Sequence, residues 1–370
     1  MKFIFGREIL DPSEFYDRDE ELKVLINSFK IKQPIAVIGY RRMGKSSLVN
    51  VALKLIDNED VVTVKVSLEG VRSIRQFIDL YVSSILTEAV KKSIRLRLRV
   101  SLINIRDTLH ALLGAVREVG VRFDGLDFYV KLYTDVVDYK VNMIKALDEF
   151  LQMPQRIAEE LGKNMVIAFD EFQQVRFLKQ PYPDVLRVMR RIWQSHNMVE
   201  YIIAGSEVGI MRDLLSRSDQ PFFAFFRVIE LKPFDKDTGI SFLREGLKEN
   251  GVDCPMDILE KVYELTGGFP AWLNLAGLRM IEGGCDKWFI LSDPTVKLII
   301  ESELSSLNSN QRKLLKALAT GVKLNKSDVR KPNSVLAELI AKGLVKKTGW
   351  RRYRIVDPLL ANYLGLWLRV

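Results

Sequence analysis

Along the first two-thirds of the chain, short apolar runs alternate with longer stretches of helical period. Ile35–Gly39, Val61–Ser67, Val166–Asp170, Val199–Gly205 and Arg227–Leu231 are rich in β-branched residues, as strands buried in a sheet are. Helical segments separate most of them, which predicts crossover connections and a parallel sheet. Leu68 to Asn164 forms a long connection between two of these strands. It predicts a helix from Val71 to about Lys92, a basic alternating run at Ile94–Val100 and a hairpin at Val121–Leu132 around Asp124-Gly125. A helix from Val141 to Leu161, kinked at Pro154, leads back to the sheet. The insertion is expected to serve as an accessory face, for packing or for a partner. From Asp235 to about Gly284, apolar positions such as Ile240, Leu243, Leu247, Ile258, Val262 and Leu265 keep helical spacing. Near the end, helices are expected at Gln311–Thr320 and Val335–Lys342, then two strands within Gly343–Val356 joined at Thr348-Gly349.

Length and composition narrow this picture. A chain of 370 residues and 42.5 kDa suggests two or three domains, and 48% apolar with 28% charged residues is an ordinary globular mixture. Two cysteines, Cys254 and Cys285, are too few for a disulfide framework, so the chain is expected to fold without staples. Two histidines, His110 and His196, are too scattered for a metal site. No run approaches the ~18 apolar residues of a membrane span, and Met-Lys-Phe-Ile-Phe-Gly is too short for a signal peptide core. A cytoplasmic protein without a membrane role is expected. The net charge of +9 is unevenly placed: Glu303–Val370 carries 14 basic and 4 acidic residues, so the excess is almost wholly C-terminal. Localised positive charge suits a phosphate-bearing partner such as DNA, or simply a solvated lysine-rich surface.

The chemistry concentrates after the first strand. Gly39-Tyr40-Arg41-Arg42-Met43-Gly44-Lys45-Ser46-Ser47 spells G-x-x-x-x-G-K-S between an apolar strand and a helix. Glycines let successive N–H groups turn toward one anion, and the helix that begins there adds its positive dipole end. Lys45 is suited to β- and γ-phosphates and the Ser46 hydroxyl to magnesium. A second apolar strand ends in Asp170 and Glu171, the first suited to the magnesium shell and the second to polarising an attacking water as general base. Paired acids there can also be an ordinary helix start. Ser206, after the strand Val199–Gly205, can sense the γ-phosphate or the attacking water, or cap the next helix. Arg227 can meet transition-state charge, in its own chain or across a subunit boundary, or form a surface ion pair.

Together these residues resemble the archaeal ATPase family, within the signal-transduction ATPases with numerous domains (STAND) and so related to AAA+ ATPases. Phe15-Tyr16-Asp17-Arg18-Asp19-Glu20-Glu21-Leu22 is similar to the family's leader, which implies Arg18 and Glu21 near the nucleotide base. Asp170-Glu171-Phe172-Gln173, Pro233-Phe234 and Thr266-Gly267-Gly268-Phe269-Pro270 are further family-like marks, and Gly268 and Pro270 match the lid turn that faces the nucleotide. Phe223-Ala224-Phe225-Phe226-Arg227 departs from the family's usual run before the last strand. The likeness spans roughly residues 10 to 290. It also implies that the Ser206 strand lies between the Asp170 strand and the strand of the phosphate loop.

The expected fold is α/β, a P-loop NTPase (AAA+-like) parallel sheet over residues 1–233 with an accessory insertion at about 91–140. A helical lid over 234–290 and a winged helix-turn-helix domain over 300–370 follow. Recognition through Pro332–Ala341 and a wing with Lys346, Lys347, Arg351 and Arg352 is expected if the last domain meets DNA. Arg279, after the lid turn, either approaches the phosphates or faces solvent. Asn325-Lys326-Ser327-Asp328 matches a guanine-selecting tetrad but falls far from any sheet strand, where a helix cap is the ordinary role. The leading expectation is an ATP/ADP- and Mg2+-dependent ATPase acting as a conformational switch toward DNA, a protein partner or a second copy of itself. The alternative is a DNA-binding protein with ATP as a structural ligand; a P-loop kinase fits less well, because the acid pair suits water activation.

Overall fold

The computed structural model describes residues 3–92, 119–123, 126–130, 139–178, 185–285, 289–323 and 328–366. Strands β1 (Ile35–Ile38), β2 (Val61–Ser67), β5 (Asn164–Asp170), β6 (Val199–Gly205) and β7 (Arg227–Glu230) form one parallel sheet in the order β2-β5-β6-β1-β7. The β6 strand lies between β5 and β1, in register Ile35↔Ile202 and Met165↔Val199. Parallel pairing needs crossovers, and helices α1 (Asp19–Lys30), α2 (Lys45–Ile56), α3 (Ile74–Lys91), α4 (Tyr139–Leu161), α5 (Val185–Trp193) and α6 (Val208–Ser216) flank the strands. Pro154 lies inside α4 without ending it. Strands β3 (Val119–Phe123) and β4 (Leu126–Val130) pair as an antiparallel hairpin. The basic run Ile94–Val100, Asp124-Gly125 and the first three residues of the Asn325–Asp328 tetrad lie outside the described residues.

Successive strand residues face opposite layers, so the sheet divides two apolar cores. Ala36, Ile38, Ile167 and Phe169 face one core, where Phe77, Tyr81, Phe169, Trp193 and Tyr201 stack in series. Ile35, Val37, Val166 and Ala168 face the other, which runs without a break into the rest of the molecule. That rest comprises α7 (Lys236–Glu249), α8 (Met256–Thr266), α9 (Pro270–Gly283), α10 (Phe289–Ser292) and α11 (Pro294–Ser305). After them come α12 (Ser309–Thr320), α13 (Pro332–Ala341), β8 (Val345–Gly349), β9 (Arg352–Ile355) and α14 (Pro358–Leu366). The end of α13 packs against α6: a Cβ on Gly209 of α6 would lie 2.6 Å from Ala341 Cα.

Two local expectations are corrected. Thr348 and Gly349 belong to β8 rather than to the reversal; Gly349 pairs with Arg352, and the chain turns at Trp350-Arg351, where Arg351 takes φ 55°. A staple is present as well: Cys254, between α7 and α8, is bonded to Cys285, just after α9. The cysteine count excluded a framework of bridges, but it carried no information on whether these two chain ends meet. No helix among the described residues is long and apolar enough to cross a membrane.

Candidate functional site

Three strands end at one edge, and the polar residues of interest follow them. Gly39 follows β1, where a Cβ would come within 3.0 Å of the Leu231 carbonyl, and Gly44 takes φ 81° at the start of α2. The loop between them therefore curls over the helix N-terminus, whose free N–H groups favour an anion. A cavity of about 460 Å³ opens there, within the usual range for ligand sites. Arg41, Arg42, Met43, Gly44, Lys45, Ser46 and Ser47 form its floor. The leader forms one wall through Ile4, Arg7, Glu8, Ile9, Phe15, Tyr16 and Arg18, while Pro270, Ala271 and Asn274 of α9 form another. The leader is pinned across the site by Ile4 N–H to Asn274 Oδ1 at 2.5 Å and Ile9 N–H to Ser47 Oγ at 3.0 Å.

Lys45 is 5% exposed, and its ammonium donates to the Tyr40 carbonyl at 2.8 Å. Burial lowers its pKa from the ordinary 10.5 to about 8, with Glu171 and Asp170 pulling the other way. A buried ammonium whose nearest partner is a neutral carbonyl is a standing invitation to phosphate. Asp170 ends β5, is 5% exposed, accepts the Glu171 N–H at 2.9 Å and lies 3.4 Å from Lys65 Nζ. Glu171 takes φ 52°, left-handed and costly for a side-chain-bearing residue, and lines the cavity. Its Oε2 accepts the Ser206 hydroxyl at 2.8 Å and the Gln173 amide. For magnesium, the donor set suits the ion: Ser46 and Asp170 offer hard oxygens. Among the described residues no three His, Cys, Asp or Glu cluster.

The structure does not bring every expected residue to the cavity. Arg227 opens β7 opposite Ile35, the first residue of β1, so parallel register places it at the far end of the sheet from the phosphate loop. It is exposed there, and action on its own chain's phosphates is excluded by that register. Gly268 holds a turn rather than lining the cavity: it takes φ 73°, and a Cβ would lie 2.2 Å from the Phe234 carbonyl. Arg18 does line the cavity, but its guanidinium bonds Glu21 at 3.1 Å and the Lys232 carbonyl, 4.8 Å over the Phe234 ring. Arg279 pairs with Asp293 at 2.5 Å and Glu282 at 2.8 Å, outside the cavity wall.

Arg42 is the residue whose role the motif hid. At φ 69°, its guanidinium reaches Asp357 Oδ2 at 2.9 Å and Glu303 Oε2 at 3.0 Å and lies 4.6 Å over the Trp272 ring. Trp272 Nε1–H in turn donates to the same Asp357 carboxylate, which also accepts the Leu359 N–H at the start of α14. Asp357 and Glu303 are both buried. Burial pushes the Asp357 carboxyl up, and Arg42 and Trp272 pull it back. One loop side chain thus joins the phosphate cradle to α9, α11 and α14. Asp357, Glu303, Trp272 and Gln173 carried no role in the sequence; of these only Gln173, inside the Asp170–Gln173 mark, stood near a flagged residue.

In comparisons with known proteins, residues 15–275 match a family described as an ATPase domain predominantly from Archaea. A solved Walker-type ATPase of Pyrococcus abyssi is similar at 22% identity and TM-score 0.68, covering 98% of this chain and 99% of that one. The Aeropyrum pernix ORC2 protein, in ADPNP–ADP complexes, is similar at 13% identity and TM-score 0.57, covering 100% and 98%. No protein with a curated description matches in sequence. The two structural likenesses bear on fold.

Proposed function

Since the chain belongs to the family of ATPase domains predominantly from Archaea, we propose that its ATP hydrolysis works a conformational switch, with nucleotide state moving α7–α9 and the C-terminal segment against the sheet. In this reading Lys45 and the loop amides hold the phosphates, and Glu171 polarises the attacking water while Ser206 meets the γ-phosphate. Ser46 and Asp170 would hold Mg2+, which when bound would neutralise charge developing on the γ-phosphoryl group. The reading makes residues 1–233 an ATPase core, 234–290 a lid and 300–370 a winged-helix domain.

The observation that carries it is the Arg42 clamp. A loop that grips polyphosphate and also donates to Asp357 and Glu303 cannot adjust to its ligand without changing what it offers the C-terminal segment. Turnover is expected to be slow until a partner engages that segment. ATP hydrolysis measured with and without duplex DNA, alongside particle mass in each nucleotide state, tests the switch. Stimulation by DNA or a mass change between ATP and ADP supports it; an identical rate, mass and proteolysis pattern in all states overturns it.

A second reading makes the chain chiefly a DNA binder with ATP as a structural ligand. It is favoured by the β8–β9 hairpin, where Trp350 stands 82% exposed at the turn among Lys347, Arg351, Arg352 and Arg354.

A further inference from the structure

We propose that Gln173 is a positioning residue for hydrolysis: it fixes Oε2 of Glu171 so that the other carboxylate oxygen addresses the cavity. The inference rests on the reading of Glu171 as general base. Gln173 sits two residues after it in a short 3-10 helix, Phe172–Phe177, and is fully buried. Its Nε2 donates to Glu171 Oε2 and lies 3.3 Å from Ser206 Oγ, while Ser206 donates to that same Glu171 oxygen at 2.8 Å. Three side chains therefore close a ring around one carboxylate oxygen.

The two donors differ in what they can do next. Ser206 has one proton, and a phosphate oxygen arriving in the cavity competes with Glu171 for it. Gln173 has no such alternative. The glycine at Gly205 leaves just the room it fills: a Cβ there would stand 2.7 Å from Gln173 Oε1 and 2.5 Å from Met211 Sδ. Its amide orientation is set by chemistry too, since turning it over would aim Oε1 at a carboxylate. That orientation leaves Oε1 buried with no hydrogen-bond partner among the described residues. An orphaned buried acceptor is destabilising, and together with the left-handed backbone at Glu171 it marks a place where stability yields to geometry. When Ser206 turns to phosphate, Gln173 remains to hold the base.

The test compares steady-state ATP hydrolysis with affinity for a fluorescent ATP analogue in wild type, Gln173→Met, Gln173→Glu and Glu171→Gln. Gln173→Met keeps the shape and removes the donor. It is expected to lower kcat at least tenfold while the analogue's Kd stays within twofold. Gln173→Glu replaces the donating amide with a second carboxylate against Glu171, so at fixed pH its kcat is expected to fall at least tenfold while the analogue's Kd stays within twofold. A kcat within twofold of wild type for Gln173→Met, or a Kd weakened in step with kcat, overturns the inference. Should Gln173→Met fail to fold, a kcat within twofold of wild type for Gln173→Glu overturns it. If Glu171→Gln itself hydrolyses at the wild-type rate, the general-base reading fails instead; if Glu171→Gln is inactive and Gln173→Met is not impaired, only the role of Gln173 fails.

Discussion

At the scale of single residues, the site is governed by a buried ammonium and by a carboxylate carried on left-handed backbone. Lys45, lowered to about 8, is neutral in the folded apo protein above that pH, whereas the unfolded chain keeps its proton up to about 10.5. The unfolded state binds more protons in that window, so Lys45 makes apo stability rise with pH between those values. Phosphate needs the ammonium, so ATP affinity should fall as pH climbs through about 8, approaching tenfold per unit. Titration calorimetry from pH 7 to 9.5 reads this directly. Lys45→Arg should flatten the dependence, and Lys45→Ala should abolish binding. Glu171→Gln should retain the nucleotide within about twofold yet lose on the order of 10²–10⁴ in hydrolysis, the usual worth of a general base. The motif residues were legible because anion binding demands glycine, lysine and hydroxyl at fixed spacing. Arg227 was misplaced because it opens a parallel strand whose far end meets the cradle; its pairing with Ile35 places it at the opposite edge, whatever its charge suggests.

At the scale of elements, β1, β5 and β6 stood out since strands buried on both faces leave nearly continuous apolar runs, and these differ sharply from helical period. The hairpin turn did not. Thr348-Gly349 has turn-forming composition, but an irregularity between Lys347 and Gly349 keeps it in β8 and shifts the reversal to Trp350-Arg351. The bridge from Cys254 to Cys285 was equally invisible, since it joins positions 31 residues apart and is set by how α8 and α9 pack. Closing a loop of that length stabilises by about 3–4 kcal/mol in the chain-entropy picture. Reduction, or Cys254→Ser, should therefore lower the thermal midpoint by several degrees while leaving nucleotide affinity unchanged. An unaltered melting curve under reductant would show that the bridge contributes nothing.

At the scale of the whole molecule, what joins the parts is a set of long-range interactions that no local pattern announces. The core lining the second sheet face runs on to Leu339 and Leu360, and Arg42 meets acids more than 260 residues away. Glu303→Gln with Asp357→Asn should release the C-terminal helices, raising amide exchange in α12–α14 without unfolding the sheet. Arg42→Ala should be harsher, since it strands two buried carboxylates at about 3–5 kcal/mol. If α13 and the hairpin meet DNA, neutralising Lys346, Lys347, Arg351 and Arg352 should reduce the log–log salt slope by about 0.9 for each phosphate that is no longer paired with a cation. A salt response flat from the outset would count against that partner. The clamp also runs in reverse. Whatever free energy nucleotide spends to part Arg42 from Asp357, a ligand that tugs α14 aside must return to nucleotide binding in equal measure. On the switch reading, an effector seated on the far C-terminal surface is by that reciprocity a regulator of nucleotide affinity, with no need to approach the phosphates.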